Sequence, residues 1–99
     1  MDQNINVSDA PFTGDFVEDI EIAKRLIAAH PKVNLRQLMT IADDHKHTES
    51  ARIASIYTLG FTDDHGVSKA ILARLAHDPA ESFDIRDHAT EALGYVTAR

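Results

Sequence analysis

The stretch "RDHATEALGY", residues 86–95, rewrites "RIASIYTLGF", residues 52–61, at an offset of 34 residues. Arg86 falls on Arg52, Ala89 on Ser55, Ala92 on Thr58, Leu93-Gly94 on Leu59-Gly60 and Tyr95 on Phe61. The correspondence extends outward, with Val67 on Val33, Leu72 on Leu38, Leu75 on Ile41, Ala76 on Ala42 and Asp78 on Asp44. Two helical patterns per period of this length mark a stack of helical hairpins, each burying its apolar face against the next. Small residues in register let neighbouring helices approach closely. The alternative is a plain bundle of four or five helices whose internal similarity is accidental.

Working outward, the pattern predicts five helices. Asp15 with Glu18 three residues on starts the first, and Phe16, Ile20, Ala23 and Ile27 form its apolar stripe. Pro31 disfavours helical geometry at His30, so this helix stops near Ala29. Asn34 and Gln37 have the spacing of a second cap, and Leu35, Leu38, Met39 and Ala42 give the next helix its face to about Asp44. The third runs from about Thr48 to Leu59, with Gly60 suited to a left-handed closing residue. The fourth starts around Gly66 and stops at Asp78-Pro79; the fifth follows Ser82. No segment alternates at period two, so no strand is expected. The expectation is all-α: a flexible arm over 1–12 and one helical domain over 13–99.

At this point "R-x-x-A-x-x-A-L-G-Y", preceded by "L-A-x-D-P", resembles the HEAT-like repeat family, in particular its short phycobilisome-lyase-type members. The resemblance implies a short right-handed α-solenoid of about two and a half hairpins, with the second helix of each pair lining a concave surface. It also implies that Asp and Arg bridge adjacent helices, here Asp44 with Arg52 and Asp78 with Arg86. Some hydroxylases of this type bind iron through His-Glu dipeptides before the Leu-Gly signature. Here "HATEALG" places Ala89 after His88, and the earlier copy has no histidine there, so that activity is not implied.

Composition bounds the function. Ninety-nine residues carry a single core, and no apolar run is long enough to span a bilayer, so no membrane role is expected. The polar, acidic "MDQNINVSDAPFTGDF" reads as neither a signal nor a transit peptide, and the absence of cysteine accords with a cytoplasmic location. Sixteen acids against ten Lys and Arg leave a net charge of −6, which repels phosphate backbones and argues against nucleic acid as a partner.

Catalytic chemistry finds no foothold. His45 and His47, beside Asp43 and Asp44, have the makings of a weak metal site, but turn histidines next to acids are ordinarily just solvated. No serine sits in a Gly-x-Ser-x-Gly elbow, and four scattered glycines build no phosphate loop. The expectation is no enzyme, no metal and no cofactor, with a metal-dependent enzyme as the reading from another class.

The feature that exceeds background is acidity along one edge. In an up-down stack, the starts of the odd-numbered helices share an edge with the ends of the even-numbered ones. Asp15, Glu18, Asp19, Glu49, Glu81, Asp84 and Asp87 belong to the first group; Asp43, Asp44 and Asp78 belong to the second. Acids favour helix starts, but Asp43 sits at the unfavourable dipole end with no pairing role to explain it. Asp15, Asp19, Asp43, Asp84 and Asp87 are therefore the expected partner-binding residues. The expected function is a protein-binding module. Size, acidity and apparent completeness suggest a small inhibitor or immunity-type protein covering a basic partner such as a nuclease toxin. The alternatives within binding are an adaptor or lyase-subunit-like protein, a concave site at Met39, Thr40, Ala73 and Arg74, and a homodimer through the open fifth helix.

Overall fold

Three of the helix starts are set by hydroxyl or carboxylate caps at the predicted places. Asp15 accepts from the Glu18 amide at 3.1 Å and opens α1 (Phe16–Ala29). Thr48 accepts from the Ala51 amide and opens α3 (Glu49–Thr62), and Ser82 accepts from the Ile85 amide and opens α5 (Phe83–Thr97). Each cap satisfies an amide that the helix itself leaves unpaired. Between them lie α2 (Pro31–Asp43) and α4 (Lys69–His77). The computed structural model describes residues 12–98, and among them there is no strand.

Three local expectations are corrected. Asn34 is not a cap: α2 begins at Pro31, whose missing N–H costs nothing at a first helical position. Asn34 is instead buried one turn inside, and its Nδ2 donates to the Leu26 carbonyl at 2.6 Å, tying α2 to the last turn of α1. Gly60 does not close α3, which runs on to Thr62 and ends at Asp63. Its value is closeness: a Cβ there would stand 3.0 Å from both Cα and Cβ of Ala92, so α3 and α5 nearly touch. The fourth helix starts at Lys69 rather than Gly66; Gly66, at φ +70°, turns the chain ahead of it.

The helices form one core around α3. This helix packs against α1, α2 and α5, while α4 rests on α5 and touches α2 lightly. Residues 51–56 and 58–60 of α3 are all buried, so it is enclosed on nearly every side rather than amphipathic. Leu38, Ile41, Ile56, Leu59, Leu72, Leu75, Ile85 and Val96 fill the space between. Leu59 is fully buried as its place in the repeat predicts, but its counterpart Leu93 is only half-buried, packed at the margin of the core. The radius of gyration, 12.5 Å, is that of a compact chain of this size.

Two turns 34 residues apart are built alike. Asp44 and Asp78 are the C-caps of α2 and α4, both extended at ψ 111°. Each accepts from the amide two residues on, Lys46 and Ala80, at 2.9 Å. Each carbonyl then accepts from the amide three residues on, His47 and Glu81, at 3.1 Å. Thr48 and Ser82 follow as caps. The flexible arm expected over 1–12 lies outside the described residues except for Phe12, which is half-buried against the core.

Candidate functional site

The starts of α1, α3 and α5 come together at one end of the molecule. Ser50 Oγ in the first turn of α3 donates to Asp19 Oδ2 of α1 at 2.9 Å. Arg52, two residues further along, reaches Glu81 in the turn before α5. The ring of Phe16 meets His88 of α5 edge-on, with centroids 6.0 Å apart. Around this junction Asp15, Glu18, Glu49, Asp84 and Asp87 are exposed, and none forms an ion pair among the described residues.

Asp15, Asp84 and Asp87 thus lie where expected, but the other two candidates do not. Asp19 is fully buried. Its carboxylate accepts from the amides of Thr13 at 2.8 Å and Gly14 at 3.1 Å, and from the hydroxyls of Thr13 and Ser50. It pins the segment entering α1 to the start of α3, and it is unavailable to a partner. Asp43 is paired with Arg74 of α4 across the α2–α4 contact. Hydrogen bonding to Asp43 raises the Arg74 pKa against the opposing effect of burial, with the Asp43, Asp78 and Glu81 charges adding to it. That bond accounts for an acid at the unfavourable end of α2. Glu81, counted with the exposed edge, is buried.

The two predicted Asp–Arg bridges are also replaced. Asp44 is engaged by the Lys46 amide and stands 3.7 Å from His47 Nε2, while Asp78 turns to the Ala80 amide. A short Asp side chain serves its own turn first, because the amides two residues on are already within reach. Arg52 instead donates Nε to the Ala42 carbonyl at 3.0 Å and both terminal nitrogens to Glu81, at 3.0 and 2.8 Å. Exposed His45 stands 3.0 Å from the same carboxylate. Arg86 has no such partner: its Nε is buried without a hydrogen bond among the described residues.

At the opposite end of α3, burial pushes the Asp63 carboxyl up. The Ser68 hydroxyl and the amides of Ser68, Val67 and His65 outweigh it and hold the pKa below the ordinary 3.8. Between α2 and α4 runs an open groove of about 510 Å³, lined by Arg36, Met39, Thr40, Asp43, Asp44 and Ile71. Of the concave set expected there, Met39 and Thr40 line it, and Arg74 stands beside it through Asp43.

Arg52–Glu81, Asp43–Arg74 and the Ser50–Asp19 bond join residues 29 to 31 apart, so no local reading reaches them. Asp19 alone left a trace: with Ala23 and Leu26 it keeps the spacing of a core-facing stripe. Among the described residues no three His, Asp or Glu side chains are grouped to hold a metal ion, and no helix is long and apolar enough to cross a membrane. No protein-family model, curated protein or solved structure matches the chain.

Proposed function

We propose that this chain is a non-catalytic protein-binding module, a miniature HEAT-like solenoid that covers a basic protein with the margin formed by Asp15, Glu18, Glu49, Asp84 and Asp87. The observation that carries the reading is the state of those five carboxylates. They are exposed around one junction of three helices, without ion pairs among the described residues, while Asp19, Asp43 and Glu81 nearby are committed within the fold. Unneutralised like charges repel one another in the free protein, and a basic surface relieves that repulsion on binding. The two equivalent turns and the matching contacts of α2 with α3 and α4 with α5 favour the solenoid description. An inhibitor of a basic enzyme, of the kind an immunity protein provides against a nuclease toxin, is the role that suits a small acidic binder. Calorimetric titration against a panel of basic nuclease domains tests it. Inhibition at one-to-one stoichiometry by this chain supports the role, and no heat from any basic domain sinks it.

The groove between α2 and α4 favours a second reading, an adaptor that grips a peptide along those helices. Such binding would depend on Met39 and Arg36, show little response to salt, and be indifferent to Asp84 and Asp87.

A further inference from the structure

Two of the positions by which α3 receives α5 are repeated on α5 itself, where nothing fills them. Gly60 of α3 lies against Ala92 of α5, whereas its counterpart Gly94 has nothing within 4 Å of an added Cβ. Arg52 of α3 is gripped by Glu81 ahead of α5. Its counterpart Arg86 forms no ion pair among the described residues, and its buried Nε has no hydrogen bond there. A third comparison sets the chemistry of whatever docks on α5. Buried Ile53 and Ile56 of α3 correspond to exposed Asp87 and Thr90, so the matching surface carries polar and small groups rather than an apolar ridge.

We propose that this face receives α1 of a second copy of the chain, so that copies stack head to tail. The outer stripe of α5 is Phe83, Asp87, Thr90 and Gly94; that of α1 is Val17, Glu21, Lys24 and Ala28. Both run at spacings of four, three and four, so each keeps to one face of its helix. All eight residues are exposed, Val17 at 69% and Phe83 at 71%. The helices lie parallel in the stack, because α1, α3 and α5 start at the same end. Val17 then covers Phe83, Glu21 reaches Arg86, Lys24 reaches Asp87, and Ala28 meets Gly94 as Ala92 meets Gly60. In the free chain Glu21 and Lys24 form an exposed pair at 3.6 Å, which costs little to exchange for these partners.

Two different faces meet, so the contact is heterologous: every stack leaves one face of each kind open, and growth does not stop at the dimer. The net charge of −6 opposes stacking. At physiological ionic strength, however, charges more than about 8 Å apart are largely screened, while groups in contact still attract. One helix face against another is small beside the roughly 1,200–2,000 Å² buried in stable interfaces, so the stacking is weak and belongs to high protein concentration. It does not depend on the proposed binding of a basic protein, which is judged separately by salt-dependent association with that partner.

Sedimentation equilibrium of the full chain up to about 1 mM, in about 0.15 M salt, reads the stacking directly. The weight-average mass should climb with concentration along an open-ended isotherm, with no plateau at the dimer. Lys24→Glu disables the α1 face and Gly94→Gln the α5 face. Lys24 is exposed, and Gly94 has open space around an added Cβ, so both variants should fold as the parent does. Each variant alone should associate about tenfold more weakly than the parent. Mixed in equal amounts, they keep one working face of each kind and should form one-to-one dimers that grow no further. A parent that stays monomeric or stops at a dimer, or a mixture no more associated than its components, overturns the proposal. So does association that survives Lys24→Glu but not Gly94→Gln, the pattern of two α5 faces pairing with each other.

Discussion

Arg52 and Glu81, 29 residues apart, meet in a two-pronged ion pair that is buried on both sides and joins the second turn of α3 to the turn ahead of α5. The same guanidinium caps α2 through the Ala42 carbonyl, so one side chain fastens three helices. Such a pair is costly to break from one side, because the remaining charge is left buried and alone. Glu81→Ala should destabilise the fold by about 3–5 kcal/mol, read from urea denaturation. Replacing both partners by Leu and Met should cost distinctly less than the sum of the single changes.

Asp19 makes a similar demand at the other side of α3. With its carboxylate removed, the amides of Thr13 and Gly14 and the Ser50 hydroxyl lose their acceptor. Asp19→Ala should cost roughly 2–4 kcal/mol, whereas Asp84→Ala on the exposed margin should stay within about 0.5 kcal/mol. Equal melting temperatures for the two variants would contradict the assignment of Asp19 to the interior.

The twin glycines should answer alanine in opposite directions. At Gly60 the new methyl meets the Ala92 backbone at 3.0 Å, and relief requires α3 and α5 to part. Overpacking of this kind costs about 1–3 kcal/mol, which outweighs the gain in helix propensity of about 1 kcal/mol. Gly94 has no neighbour within 4 Å of an added Cβ, so only the propensity gain remains. Gly94→Ala should therefore stabilise by roughly 0.5–1 kcal/mol. Thermal melts of the two variants against the parent decide the matter.

These residues show what was legible in the sequence. Caps such as Asp15, Thr48 and Ser82 act on amides two or three residues away, so their chemistry is local and their positions were readable. The Leu-Gly twins were readable as a repeat, but not their roles: Gly60 faces Ala92 across the crossing, whereas Gly94 faces open space. Asp44 and Asp78 were rightly placed at helix ends, yet their partners are neighbouring amides rather than arginines. For the candidate site, exposure at Asp15, Asp84 and Asp87 followed from helix position. The loss of Asp19 and Asp43 came from partners about 30 residues away in Ser50 and Arg74. Tyr95 read only as the repeat counterpart of Phe61, because the meeting of the two rings depends on how closely α3 and α5 cross.

Acid should test the turn between α3 and α4. The Asp63 pKa is lower in the folded chain than its ordinary 3.8, so folding favours the ionised form. The resulting stabilisation is fully present above pH 3.8 and is lost as pH falls through the lower folded-state value. Asp63→Asn should be less stable than the parent at pH 7, and the gap should narrow below that window. A gap constant from pH 7 down to pH 2 would show that the carboxylate charge plays no part.

The association rate with a basic protein target, measured as salt is raised, tests the central claim of an acidic binding margin most directly. Asp15, Asp84 and Asp87 are changed together to Asn; Asn at position 15 still caps α1, so helical content should be unchanged. The account predicts that the parent's on-rate falls steeply with salt. It also predicts that the triple variant associates about tenfold more slowly at low salt, and that the two converge at high salt. A triple variant that associates as fast as the parent at low salt would contradict it, and the groove between α2 and α4 would become the binding surface to pursue.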